Sequence, residues 1–571
     1  MKPVAYSPFF RVTRLAIPLA ALAVLLGGCS TILGFDETTL ITEDGGPTNE
    51  GGGGGNPEPG KPSVVVSPTT LLLRRGGAPG QMSVTVNRNG ITGDISAISI
   101  PDLPKGVTAN PASLTIPDGQ NTGTISLTAT TTAPLGANPA HLLFPTNTTL
   151  NTQITIFIAD NPGTVDQTFG TNGANGIVSN GAGAESTYNA IYVQSDGSIL
   201  AGGAAAGGDG WLLDRYSADG TFDSNFNVNV QDADLPTTGA IHALTVDSTT
   251  GKIVCVGDSN VGVEVGVGVI VPQQQMTVVR VNANGAKDTS NNTPSRQPLS
   301  GTDFSYPSIG YGVATLADSS ILVAGTFNAI IMNGTIYSST GVVVHVLANG
   351  TPDPAVVTTS DRSFIGIAPA ADGTFVVGGT DTTNVIPEAS PYFYVARYKM
   401  ADGTLDPTFG TGSGGFSFGS GYQGFGFAAS GDGASYAVVG NAGNNSLYYT
   451  VGLVSPAANP QPRNVTTSAD QGSNASFNTV TMQSDGLIVA AGNATTNPLI
   501  GGGDTINEAR VTRIKPTNQL EPDTTFGNGG SFVETTQPVP TFNAIAIQPS
   551  SYRILVAGSG ENGAVIYGLW Q

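Results

Sequence analysis

Little in this 571-residue chain carries charge: Asp, Glu, Lys and Arg together make up 11% of it. That thin supply, beside 78 Gly and 37 Pro, excludes a helical bundle or coiled coil, because both residues break helices and side-chain charge pairs cannot be built in number. Cysteine is nearly absent. Two Cys cannot make a disulfide framework, so packing and hydrogen bonding must hold the fold. Positive charge is scarce, with 21 Lys+Arg against 41 Asp+Glu and a formal net charge of −20. Such a surface repels phosphate and argues against nucleic acid as a partner. What is plentiful is alternation. Hydrophobic residues are 39% of the chain and many stand at every second position, which argues against wholesale disorder and for half-buried strands.

The N-terminus reads as an export signal over residues 1–28. Lys2, Arg11 and Arg14 precede an apolar run from Leu15 to Leu26, interrupted by Pro18. The run is below the roughly 20 residues that a spanning helix needs. It ends in Leu26-Gly27-Gly28-Cys29, which resembles the lipobox of bacterial lipoproteins. That resemblance implies cleavage between Gly28 and Cys29, lipidation of the Cys29 thiol, and the membrane as a partner through acyl chains. Ser30 stands where inner-membrane retention would place Asp, which favours the outer membrane. Loss of residues 1–28 removes three positive charges and no negative ones, so the mature chain carries −23. Residues 29–62 form a tether, rich in Gly, Pro and acid from 43 onward, with the composition of a flexible coil.

Residues 63–160 alternate apolar and polar positions in short runs bounded by Pro and Gly, such as QMSVTVNR at 81–88 and TGTISLTAT at 122–130. Met82, Val84 and Val86 should share one face, as should Ile125 and Leu127. This spacing predicts an Ig-like β-sandwich. The stretch LPKGVTANPASLTIPDGQNTGTISLTAT is similar to the Ig-like repeats of bacterial surface proteins, which implies a spacer or adhesive module.

From 163 to 571 the chain repeats itself. Lines such as NAIYVQSDGSILAGG and NTVTMQSDGLIVAAG recur, closing on glycines 203, 257, 325, 379, 440, 492 and 558, about 59 residues apart on average. A second line follows most copies, as in WLLDRYSADGTFDSNF and YVARYKMADGTLDPTFG. Strand, Asp-Gly turn, strand, loop, strand, turn and a fourth strand make a propeller blade. The last copy stops at Trp570 before its Asp-x-x-Phe turn, and the missing piece stands at the start as VDQTFGTNGANGIVS. The expectation is an all-β chain, an Ig-like β-sandwich followed by a seven-bladed β-propeller closed by its N-terminal strand. These lines resemble the delta-60 repeat family of exported bacterial proteins, which implies fold and export and no established activity. The fifth copy departs from the pattern at SPAANPQP, 455–462.

Candidate chemistry is sparse. His345 falls in a slot that other copies fill with Arg215, Arg280, Arg397 and Arg513, and His242 in one filled by Asn189, Asn478 and Asn543. A repeated slot reads as structural, and no pair with His141 has zinc spacing. Gly415-Phe416-Ser417-Phe418-Gly419 matches a nucleophile elbow in letters, but it sits where a fourth blade strand belongs and no His follows it. Cys255 lies inside a strand and reads as core filling. No calcium-loop pattern occurs, and no cofactor is expected; calcium held by loop carboxylates stays an open alternative. Loops between second and third strands vary in length and are long at 258–275, 326–341, 380–392 and 493–508. That variation points to a binding rim on a rigid scaffold, with Asp258, Asp381 and Asp504 as its candidate residues. The expected function is an exported, lipid-anchored envelope protein with a binding, adhesion or display role toward a protein or carbohydrate. The alternative is a propeller enzyme, glycosidase or lyase-like, acting on a polysaccharide with loop carboxylates.

Overall fold

The computed structural model describes residues 61–571 except 171–174, 182, 184, 209, 227–234, 267–268, 289–295, 299–306, 328–329, 333–334, 338–339, 384–390, 411, 443–447, 455–462, 468–472, 497–505 and 518. Of some strand residues bordering these gaps only the backbone is described. Cys29 and Gly28 lie outside the described residues, as does Asp504. Apart from three single-turn 3-10 segments, the regular structure is all strand.

The first folded part packs two main sheets. One joins Ser63–Ser67, Gly80–Asn87, Thr122–Ala129 and Val107–Asn110, and the other joins Thr70–Arg74, Thr152–Ala159 and Gly136–Leu142. Thr70–Arg74 runs parallel to Thr152–Ala159, while the remaining pairs are antiparallel. Met82, Val84, Val86, Ile125 and Leu127 all point into the single core between the sheets, as period-two alternation requires.

Residues 177–570 build seven antiparallel sheets of three or four strands among the described residues, besides one two-stranded hairpin. The inner strand of each, numbered one to seven in chain order, is Thr187–Val193, Ile241–Val246, Ser308–Thr315, Arg362–Pro369, Tyr422–Ala429, Ser473–Met482 and Thr541–Gln548. Sheet seven takes its outer strand from the other end of the repeat region: Ile177–Ser179 pairs with Gly563–Trp570. Sheet one has three strands among the described residues. Four of the seven hairpins between first and second strands turn on Asp-Gly, at 196–197, 372–373, 432–433 and 485–486. At Asp196-Gly197, glycine takes φ +85° and the Asp carboxylate accepts the Ser198 N–H at 2.9 Å and its hydroxyl at 2.6 Å. The Ser198 hydroxyl holds the Asp196 carboxyl below the usual carboxylate range.

Apolar clusters lie between consecutive sheets rather than within them. One joins sheets one and two through Leu200, Trp211, Leu244 and Cys255, and others join two to three, three to four, four to five, five to six and six to seven. A further cluster joins sheet seven to sheet one, with Phe169, Tyr188, Leu555 and Ile566. Cys255 is fully buried, and burial pushes its thiol up to about 12, so it stays a neutral core side chain.

The segment 258–275, expected as a loop, is instead a long hairpin. Ile253–Gly266 pairs with Val269–Val281 through to Gly266 opposite Val269. Its alternating Val and Gly satisfies the strand period, and the Gly content hides it. In 326–341, short strands Ile330–Met332 and Thr335–Tyr337 likewise pair.

The Arg slot explains how each Asp-x-x-Phe turn is held. Arg215, Arg397 and Arg513 each pair with an Asp eight to ten residues on, Asp223 at 2.7 Å, Asp406 at 2.7 Å and Asp523 at 2.8 Å. Each guanidinium also lies over the Phe of the same turn, 4.7–5.2 Å from the ring centroid. Arg215 and Arg280 further donate to the carbonyls of Ala283 and Ala348 in the next sheet, both at 2.7 Å. In sheet seven the slot, opposite Leu555, holds Gly568. Arg553 on the neighbouring strand supplies the missing guanidinium. It bonds Asp166, lies 5.4 Å from the Phe169 centroid and donates to the Ala218 carbonyl of sheet one at 3.0 Å.

In sheet three the slot holds His345, whose Nδ1 lies 3.2 Å from Asp353. Imidazole is too short to span to the next sheet. A 90 Å³ cavity lies beside it, bounded by Leu322, Phe375 and Met400, and its Nε2 is buried without a hydrogen-bond partner. His345→Arg should therefore stabilise the chain by about 1–2 kcal/mol, by filling the cavity and bonding the turn at Met400–Gly403. Urea unfolding measures this, and an unchanged or lower midpoint would show that the cavity is not a guanidinium space.

Candidate functional site

Each inner strand carries a β-bulge at one height. The ladder skips a residue between Tyr188/Ala190, Ile241/Ala243, Gly310/Gly312, Phe364/Gly366, Gly424/Gly426, Phe477/Thr479 and Phe542/Ala544. The bulged residues are Asn189, His242, Tyr311, Ile365, Phe425, Asn478 and Asn543. A bulge bends the strand and re-aims its side chain, and such features gather beside binding sites.

The bulge also accounts for the repeated glycines. It drives a backbone carbonyl against the neighbouring strand, where a Cβ at Gly203, Gly257, Gly325, Gly379, Gly440, Gly492 or Gly558 would stand 1.8–2.1 Å from that oxygen. Only a hydrogen fits there. The bulged residue precedes its glycine by 14 or 15 positions in every copy, a spacing that could have located it in the sequence.

Taken in sheet order, the bulged residues divide into two arcs. Asn478, Asn543, Asn189 and His242, from sheets six, seven, one and two, are polar; Tyr311, Ile365 and Phe425 are aromatic or aliphatic. The Asn side chains also tie sheet to sheet. Asn189 donates to the Ile241 carbonyl at 3.3 Å, Asn478 to that of Phe542 at 2.9 Å, and Asn543 to Asn189 Oδ1 at 3.3 Å.

All seven inner strands line one cavity of 590 Å³. Asn189, His242, Tyr311 and Ile365 stand on its wall with Tyr192, Thr245 and Phe427. His242 is fixed in place. Its Nε2–H donates to Asp258 Oδ1 at 2.7 Å, Gln274 donates to the other carboxylate oxygen at 2.9 Å, and the Trp211 indole donates to the Asp258 carbonyl at 2.7 Å. An imidazole that carries its single proton on Nε2 presents Nδ1 as an acceptor. Burial pushes the Asp258 carboxyl upward, but the His242 and Gln274 hydrogen bonds outweigh it and hold the group below its ordinary range. The Tyr311 ring lies 5.4 Å from the imidazole, and burial, aided by the Asp258 charge, pushes its phenol up to about 12. Tyr311 is thus an intact hydroxyl at neutral pH.

Asp258 and Asp381, expected on an exposed rim, are both buried. Asp258 supports His242 rather than facing solvent. Asp381 accepts the Ser417 hydroxyl at 2.5 Å and the Thr383 N–H at 2.8 Å, with Arg362 at 3.5 Å. The hydroxyl of Ser417 is therefore committed to a carboxylate, on an outer strand, Gly415–Phe418. His242, read as a structural slot in the sequence, is the one His on the cavity wall. His141 pairs with Asp102 at 2.6 Å on the surface of the sandwich. Among the described residues no group of three or more His, Cys, Asp or Glu could hold a metal ion.

Residues 194–226 and 370–409 match a family model described as a domain of unknown function (DUF5122) beta-propeller. Each match runs from the turn after an inner strand to the Phe of the Asp-x-x-Phe turn. The chain contains a β-propeller. No curated protein sequence matches it. Among solved structures it is similar to hydrazine synthase from Kuenenia stuttgartiensis, at 11% identity and TM-score 0.41, over 67% of this chain and 95% of that one. It is also similar to a gluconolactonase from Xanthomonas campestris, at 12% identity and TM-score 0.30, over 72% and 97%. A GH74 xyloglucanase from Xanthomonas campestris shows 11% identity and TM-score 0.38, over 67% and 52%. At these values the likenesses say nothing of ligand or reaction.

Proposed function

We propose that this β-propeller chain is an exported lipoprotein, anchored through Cys29 at the outer membrane, whose Ig-like sandwich carries a seven-bladed, ring-closed propeller that binds ligand. One observation carries the reading: seven inner strands contribute wall to one cavity, each with a bulge at the same height. The wall also carries His242, held in one orientation by Asp258 behind it, as suits a group that meets a ligand. The cluster between sheets seven and one and the Arg553–Asp166 pair support closure. The sandwich supports a stiff presentation. Arg74 reaches across to the Asp160 carbonyl at 2.8 Å and the Gln571 carbonyl at 2.5 Å, and Phe157 and Trp570 share a small apolar cluster. The binding locus is the bulge ring and its cavity rather than the outer loop acids.

Anchoring is tested directly. Wild-type chain should stay with membranes through high-salt washing, and Cys29→Ser should appear in the soluble fraction, since acyl chains would be the whole attachment. Salt-resistant membrane association of Cys29→Ser overturns the lipoprotein reading and leaves the propeller site untouched.

A further inference from the structure

The cavity wall restricts what can enter it. None of its described lining residues is Asp, Glu, Lys or Arg, in a chain whose net charge is −20. An ionic ligand would lose its water there without gaining a counter-charge, so the fitting ligand is neutral. The polar groups are Asn189, Tyr192, His242, Thr245, Tyr311 and Thr479, on four separate inner strands. They offer both donors and acceptors from several directions, which a hydrocarbon or a single-headed amphiphile cannot use. Between them stand Ile191, Val313, Ile365, Ile367, Phe427 and Ile545, which give flat apolar contact. A volume of 590 Å³ lies in the usual range for small-ligand sites.

One chemical class has this make-up: a ring with hydroxyls around its edge and C–H groups on its faces. We propose that the channel binds a neutral saccharide, with a pyranose edge hydrogen-bonded at Asn189 and His242 and a C–H face laid against the Tyr311–Ile365–Phe427 side. This deepens the reading of the propeller as a binding module and rests on it. His242 has a defined part. Because Asp258 takes its Nε2–H, the ring accepts a sugar hydroxyl proton at Nδ1. Asp258 is a positioning residue, holding the imidazole in that tautomer without touching the ligand.

The test uses the full chain and three probes, the methyl glycosides of glucose, mannose and galactose, with saturation-transfer NMR and calorimetric titration. At least one glycoside should bind, and glucuronate and glucosamine should bind more weakly than their neutral parents. His242→Ala and Tyr311→Ala should each weaken that binding about tenfold, the loss of one good polar or stacking contact. Asp258→Asn should weaken it by a smaller factor and shift the His242 ring 15N resonances toward a mixture of tautomers, because an amide no longer fixes which nitrogen carries the proton. Failure of all three glycosides, preference for a charged sugar, or affinity unchanged in both His242→Ala and Tyr311→Ala overturns the proposal. Those failures leave anchoring through Cys29 and ring closure standing, because fractionation and unfolding measure them separately.

Discussion

Arg553→Met should lower unfolding free energy by about 3–5 kcal/mol, because it strands a fully buried Asp166 carboxylate without its cation. Arg553 does three things at one point: it pairs with Asp166, covers Phe169, and bonds the Ala218 carbonyl of the first sheet. These contacts tie residues 335 to 387 positions apart. The comparison that isolates closure is Arg215→Met. Arg215 and Asp223 make the same kind of pair inside one sheet, yet their side chains are 24% and 25% exposed. Solvent screens such a pair, so its loss should cost about 1 kcal/mol. Deleting residues 163–180 removes Asp166, Phe169 and the outer strand together and should lower stability further than Arg553→Met alone. Urea unfolding midpoints measure all three. Equal losses for Arg553→Met and Arg215→Met, or a deletion that leaves the midpoint in place, would show that the seam between the ends adds nothing.

The second large effect lies at the bulges. Gly379→Ala places a methyl carbon 1.8 Å from the Ser363 carbonyl oxygen, a backbone atom that cannot rotate aside. Overpacking against side chains costs about 1–3 kcal/mol, and against a bulged backbone the loss should reach or pass the top of that range. Gly373 is the control. It turns a hairpin at φ +79° with nothing near its Cβ direction, so Gly373→Ala should cost only the left-handed strain of about 1–2 kcal/mol. If both variants unfold at one midpoint, the bulge is soft and the glycines serve another purpose.

That contrast marks what the sequence could and could not tell. The glycines at 203 through 558 were visible as a repeat, because every copy needs a hydrogen at one place. Their cause was hidden, since it lies in a carbonyl of the adjoining strand, and ladder register cannot be read from one strand alone. The all-β propeller character was legible through strand periods and Asp-Gly turns. The replacement of the Arg slot by Arg553 was not, because Gly568 and Arg553 become neighbours only across a strand pair. Asp258 and Asp381 looked like rim acids because loops were assumed beyond glycines 257 and 379. In both cases the strand continues, so that the Asp258 carboxylate meets His242 and Gln274 and that of Asp381 meets Ser417 and Thr383. His242 itself was masked by its company: three asparagines in the same slot make it resemble a spacer, while only the fold reveals that the slot faces a cavity.

The strand Ile177–Ser179 carries a consequence for biogenesis. It is among the first parts of the repeat region to be synthesised, and its partner Gly563–Trp570 is the last. Until that partner is available, six sheets can assemble while this strand and the face of sheet one beside it wait without cover. Contacts across such separations form slowly. At three residues the waiting strand is too short to be a good template for a stranger's edge, which limits the hazard of that interval. A chain cut short by a single blade would never end it, and would leave that strand open to proteases.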